Sequence, residues 1–437
     1  MRIEYYAGGR KRRITLAEPT ARRAAPMSPP TAEAATVIPT ATMSVGGART
    51  AELAWLRAEF GITTVTEGSH GKVLLAAPAG ATDPIRLVAR AATALVERGL
   101  VESAQPNFSR LMAPPPAPGA AAATQWGLNN PGDPGVVGAD VAAEAAWTIT
   151  RGDPEVRVAV LDDGVDTSHP FLKPALVAER DFRDGDDLAA PQRDESHGTA
   201  CAGIILSRDD TVRGLAPGVS LVACRIGGYI GAGWLADDFS VADAIDWCWD
   251  TAGAAVLSNS WGGGPPSDLV IQAITRARTR GRGGKGTLIV VAAGNHEDPA
   301  MVYPGDGPDI LTVGASNQWD ERKTRTSRDG ETTWGSNSGQ GLDLMAPGVQ
   351  IRTTDLAGAA GSDPGPTTGR FNGTSAATPF AAAAAALVMS VRPDLTEAEV
   401  RALLTGMADS MGPTGWDPQV GFGRLNAFAA LRAARRR

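Results

Sequence analysis

The sequence predicts an α/β protein: a doubly wound, mainly parallel sheet with helices on both faces, preceded by a small α+β unit. Three observations predict it. From about residue 140, short continuous apolar runs alternate with helical stretches, as strands buried on both faces and joined by crossover helices require. The stretch MAPPPAPGAAAAT at 112–124 separates that region from what precedes it, because proline and alanine in that density favour an extended connection. Upstream of it, helical and strand periods mix within a short span, the pattern of a small α+β fold.

The elements follow in order. About 45 N-terminal residues alternate Pro, Ala, Arg and Thr without a period, so part strand and part disorder is expected there. AELAWLRAEF (51–60) and PIRLVARAATALVER (84–98) carry helical apolar spacing around a strand, VLLAAP (73–78). The chain therefore divides into 1–111, a 112–124 linker and 125–437. In the last part VRVAVLD (156–162), VSLVACRI (219–226), AAVLSNS (254–260), GTLIVVAAGN (286–295) and DILTVGAS (309–316) read as strands. Ligands in such sheets sit beyond the carboxyl ends of the strands, where Asp162 and Asn295 fall. The alanine-rich run from Ala376 to Met389 is too short to span a bilayer and reads as a buried helix, with Pro379 in its first turn, where a missing donor costs little. Thr396, with Glu399 three residues on, caps the next helix. GFGRLNAF leads into a last helix, and the closing arginines form a solvated tail.

Composition bounds the function. The chain has 437 residues, 43% hydrophobic and 20% charged, with net charge −7; it buries a large core, and its acidic balance argues against a general polyanion binder. Neither nucleic acid nor membrane is an expected partner. Basic residues 10–13 are not followed by the apolar core of a secretory signal, so a cytoplasmic location is expected, with export by another route left open. Cys201, Cys224 and Cys248 cannot all pair within one chain and have no metal-ligand spacing; buried reduced thiols are the expectation.

Four segments supply the parts of nucleophilic acyl transfer, in which a weak hydroxyl nucleophile needs a base, an acid to orient that base, and donors for the oxyanion. LDDGVD sets Asp162 at a strand end, with Gly164 permitting a sharp turn. HGTACAG sets His197 before a helix, AAGN sets Asn295 at another strand end, and NGTSAATP sets Ser375 where a helix begins. A helix start offers unpaired N–H groups and the positive end of the dipole. His169 reads as structural, His70 falls in the N-terminal unit, and His296 reads as a solvated loop residue.

VAVLDDGVD, HGTACAG, SNSWGG, VVAAGN and NGTSAATP resemble the signature segments of the subtilisin-like peptidases, in that family's chain order Asp, His, Asn, Ser. The resemblance covers roughly 125–430 and implies a serine endopeptidase acting on protein or peptide substrates. It makes Asp162 the orienting acid, His197 the general base and then acid, Ser375 the nucleophile, and Asn295 an oxyanion donor beside the Ser375 N–H. It also implies a cleft lined by Ser258, Ser260, Trp261 and Gly262, by Ala292, Ala293 and Gly294, and by Val302-Tyr303-Pro304, with a facing edge at Ile226-Gly227-Gly228. The N-terminal unit, ending GLVESAQPNFSRLM, resembles a propeptide that assists folding, covers the cleft and is removed by the enzyme itself between Arg110 and Gln125.

Asp163 is a competing acid, but the family pattern takes the first acidic residue after the strand. The segment after Trp261 holds no carboxylate until Asp268, so specificity for basic pairs is not expected. No cofactor is required for the chemistry. Structural calcium is considered at Asp209 and Asp210, although an ion needs six to eight oxygens and adjacent loop carboxylates are more often solvated. Two rivals remain: a processing enzyme dedicated to one precursor, and an inactive peptide-binding relative.

Overall fold

The computed structural model describes residues 2–7, 10–15, 37–112, 116, 122–192, 195–230, 233–412 and 415–436. The N-terminal part holds β1 (Arg2–Ala7), β2 (Arg10–Thr15), β3 (Val37–Gly46), α1 (Thr50–Phe60), β4 (Thr63–Glu67), β5 (Lys72–Ala76), α2 (Pro84–Glu97) and β6 (Ser103–Met112). There follow α3 (Ala143–Trp147), β7 (Arg157–Asp162), β8 (Leu176–Asp181), α4 (His197–Leu206), β9 (Ser220–Arg225), β10 (Gly227–Ile230), β11 (Gly233–Asp237), α5 (Asp238–Asp250), β12 (Val256–Asn259) and α6 (Asp268–Gly284). The remainder is β13 (Leu288–Ala292), β14 (Leu311–Ser316), β15 (Leu344–Pro347), β16 (Ile351–Thr354), β17 (Thr367–Phe371), α7 (Thr374–Val391), α8 (Glu397–Gly406) and α9 (Ala427–Ala434).

The central sheet runs β15-β14-β13-β12-β7-β9-β8, and every neighbouring pair is parallel. Alternation along β7 explains its burial on both sides. Val158 and Val160 join a core with α4, α7, α8 and α9, while Ala159 and Leu161 join a second core with α5 and α6. Strand order reverses around β7, and the carboxyl ends of β7, β12 and β13 meet at one rim, the place where open α/β sheets bind ligands.

A second sheet runs β10-β11-β6-β3-β5-β4. Its β10–β11 hairpin belongs to the C-terminal part, and β11 pairs antiparallel with β6, Ala236 opposite Arg110 and Trp234 opposite Met112. The N-terminal unit, whose own core is Met43, Val45, Leu56, Val73, Leu75, Val88 and Leu95, thus shares a continuous sheet with the larger part. Polar side chains fix the join. The Gln105 amide donates to Ser267 Oγ at 2.8 Å and its oxygen accepts from Asp268 N at 3.0 Å, satisfying the start of α6. Lys72 is buried against Asp246, and His70 stacks on Trp249 with ring centroids 5.3 Å apart. Most of the 112–124 linker lies outside the described residues.

One expectation is corrected. Pro379 is not in the first turn of α7, which begins at Thr374; it stands in the second, where its missing N–H deprives the Ser375 carbonyl of a helical partner. That carbonyl instead accepts from Ser260 Oγ at 2.9 Å and from Cys201 Sγ at 3.6 Å. The capping box at Thr396 forms, Glu399 N donating to Thr396 Oγ1 at 3.3 Å and Thr396 N to Glu399 Oε2 at 2.9 Å.

Candidate active site

Asp162 ends β7 and is buried; its Oδ1 accepts from His197 Nδ1 at 2.8 Å. With Nδ1 donating to a carboxylate, Nε2 is left as the basic nitrogen of the ring. His197 opens α4, and the carboxylate of Asp163 receives the first helical donors, Gly198 N at 2.8 Å and His197 N at 3.3 Å. Gly198 is required here, because a Cβ would lie 2.8 Å from that of Asp162. The imidazole also meets the edge of Phe371 at a centroid distance of 5.3 Å. Burial pulls the His197 pKa down, but the charge of Asp162 and its hydrogen bond outweigh that and hold it well above the ordinary value. Burial, then the charge of Asp162, pushes Asp163 up to about 8.

Ser375 is the second residue of α7 and is 5% exposed. Its hydroxyl donates to the Ser260 carbonyl at 3.0 Å, so Ser260 and Ser375 each hold the other's carbonyl and the start of α7 is tied to the segment after β12. Rotation about χ1 redirects this hydroxyl, and catalytic hydrogen bonds commonly close only once substrate is present. Asn295 follows β13. Its Oδ1 accepts from Thr374 N at 2.8 Å and Thr374 Oγ1 at 3.0 Å, which fixes the amide with its NH₂ as the group available to an oxyanion.

Asp162, Asp163, His197, Ser260, Trp261, Gly262, Ala292, Gly294, Asn295 and Ser375 line one open cavity. Ser258 and Ala293 do not; both are enclosed, Ser258 within β12. Gly227 lies in β10 against Trp234, one strand away from the edge that meets β6. Tyr229, Trp234, His296, Val302 and Thr374 complete the lining. Tyr229, Trp234 and Thr374 carry no catalytic motif of their own in the sequence, and His296, expected in solvent, faces this cavity. The signal for Tyr229 and Trp234 was the glycine-spaced GGYIGAGWL, a hairpin pattern. His169 is structural, bonded through Nε2 to the Pro366 carbonyl at 2.9 Å. Asp209 is occupied by Thr211 N at 2.8 Å and Val212 N at 3.0 Å, and Asp210 pairs with Arg213. These two carboxylates close their own turn and do not fit a calcium cage. All three cysteines are buried and free.

With three separated segments supplying acid, base and nucleophile to one rim, the class is that of a serine hydrolase site on a parallel α/β sheet. The chain belongs to the subtilase family, whose model matches residues 153–423. It is 34% identical over 279 residues to Subtilisin Savinase of Lederbergia lenta, covering 63% of this chain and 91% of that protein. It is 31% identical over 353 residues to the calcium-dependent protease of Nostoc sp., covering 71% of this chain but only 51% of that protein, so the chain spans about half the length of that relative. Among solved structures, fervidolysin from Fervidobacterium pennivorans superposes with a TM-score of 0.68 at 23% identity, covering 90% of this chain and 60% of that one; this likeness concerns the fold.

Proposed function

We propose that this chain is a serine endopeptidase that cleaves protein or peptide substrates through an acyl-enzyme. Ser375 Oγ gives its proton to His197 Nε2 and attacks the scissile carbonyl carbon. The resulting oxyanion is met by the Asn295 amide and the Ser375 N–H. His197 then protonates the leaving amine, and water, deprotonated by the same nitrogen, releases the acyl group. The observation that carries this reading is the 2.8 Å Asp162–His197 bond on the wall of the cavity that also holds Ser375 and Asn295. Hydrolysis of labelled casein and of a short fluorogenic peptide tests it. Activity abolished by both Ser375→Ala and His197→Ala supports the assignment; turnover surviving either at the parent rate contradicts it.

The N-terminal unit fits a cover for this cleft. β6 pairs along β11, and Pro116 Cδ reaches 3.2 Å from where a Cβ on Gly373 would stand, beside the Asn295 amide. Pro116 thus stands beside the catalytic residues, four positions past the end of β6, which supports a zymogen that processes itself between Arg110 and Gln125. For the residue before the cut, Val302 is decisive. Its methyls lie 2.5 Å and 2.7 Å from where a Cβ on Gly262 and on Gly294 would stand, so the pocket between these walls suits a small side chain. A cytoplasmic location is part of this proposal.

A further inference from the structure

We infer that Glu195 and Arg225 form a buried clamp that sets the position of the β10–β11 hairpin, the rail on which an extended peptide pairs as it enters the catalytic site. This makes both of them positioning residues for substrate. The inference rests on the endopeptidase reading and on taking β11 as the substrate edge.

Arg225 ends β9 and is fully buried. Its guanidinium donates to Asp181 Oδ2 at 2.8 Å, Asp184 Oδ2 at 2.7 Å, Glu195 Oε2 at 3.1 Å and the Asp163 carbonyl at 3.2 Å. One planar cation therefore ties together the ends of β7 and β8 and the segment just ahead of His197, a fork geometry that lysine cannot reproduce. Glu195, 4% exposed, uses its other oxygen differently: Oε1 accepts from the Tyr229 backbone N at 2.8 Å. Tyr229 lies in β10, the last strand of its sheet. The outer side of β10 is thus held from behind by a carboxylate that is itself locked by Arg225.

The opposite edge of the hairpin is the one put to use. β11 takes β6 in antiparallel register from Asp237↔Ser109 to Trp234↔Met112, and Pro116 stands beside Gly373, two residues before Ser375. β6 shows that this edge accepts an extended segment by strand addition. β9 leads directly into β10 and β11 into α5, and Glu195 adds a side-chain anchor on the outer strand, β10, between those two ends.

The test compares kcat/KM for an acylated tetrapeptide amide and for a single-residue ester with the same residue before the cut, using the full chain brought to constant activity and counted by fluorophosphonate titration. Glu195→Ala is expected to lower the tetrapeptide-to-ester ratio by about tenfold, the effect of one well-formed hydrogen bond, mainly through KM. Glu195→Gln retains an acceptor for Tyr229 N and should recover most of the ratio. Should Glu195→Ala fail to fold, Arg225→Lys serves, and the ratio must fall there as well. An unchanged ratio in a folded, titratable Glu195→Ala or Arg225→Lys overturns the clamp. A parent that shows no advantage for the tetrapeptide overturns the substrate edge, and with it the clamp, while leaving the endopeptidase reading intact. A parent that neither turns over nor titrates overturns that reading.

Discussion

Arg110→Ala is the sharpest probe of how the N-terminal unit is held on the cleft. Arg110, on β6, is 1% exposed and pairs with the fully buried Asp238 at the start of α5. It also donates to the carbonyls of Gly263 at 2.9 Å and Pro265 at 2.6 Å, and its guanidinium lies 4.8 Å from the centre of the Tyr303 ring. Burial already raises the Asp238 pKa against the pull of Arg110, so removal of the cation leaves a carboxylate in a dry site with the Gln105 amide, at 3.3 Å, the Ser267 hydroxyl and the helix start to compensate in part. Breaking one side of such a pair costs about 3–5 kcal/mol, or roughly two to four powers of ten in docking equilibrium. The assay is the rate of fluorophosphonate labelling of freshly purified full-length protein. The variant should label faster by up to about a hundredfold, the gain being capped once the site is open. Asp238→Asn, which keeps a neutral acceptor for Arg110, should have a smaller effect. A rate within twofold of the parent, with the N-terminal unit still attached, would refute gating through this contact.

Three further outcomes follow from the same geometry. Asn295→Ala should lower kcat by about 100- to 1000-fold with little change in KM, because it removes a donor that acts on developing charge; a change confined to KM would contradict the oxyanion role. Val302→Ala should raise kcat/KM for phenylalanine or leucine before the cut, relative to alanine, by about tenfold or more, since each methylene of pocket space counts for 1–3 kcal/mol; an unaltered preference places the specificity pocket elsewhere. Asp163 has its pKa raised to about 8 in the folded protein. The stability it contributes is therefore complete below the unfolded value near 4 and lost as pH rises through 8. Asp163→Asn should accordingly flatten the fall of Tm between pH 5 and 8, and a slope equal to the parent's would mean that Asp163 is ionised throughout.

Much of this architecture is legible in the chain because its inner strands carry their own signal. β7, β12, β13 and β14 are continuous apolar runs, and the residues of chemistry sit where those runs stop. Residues 51–60 and 84–98 likewise carry a helical period that α1 and α2 realise. The β10–β11 hairpin is harder to read: its glycine spacing suggests a hairpin, but the strands are short and β11 pairs with β6, more than a hundred residues upstream, so no apolar period marks them. The role of Arg225 is equally invisible, since an arginine closing an apolar strand reads as an end of burial until Asp181, Asp184 and Glu195 converge on it. Pro379 was misplaced by counting from Ser375 alone; the carbonyl it frees acquires a use only when β12 is brought alongside.

The most direct measurement is peptide mapping by mass spectrometry of the fluorophosphonate adduct, made on the parent and on His197→Ala. A nucleophile activated by this histidine predicts a single adduct on Ser375 in the parent, formed slower by about a thousandfold or more in the variant. An adduct on another residue, or equal rates in the two proteins, would contradict the account.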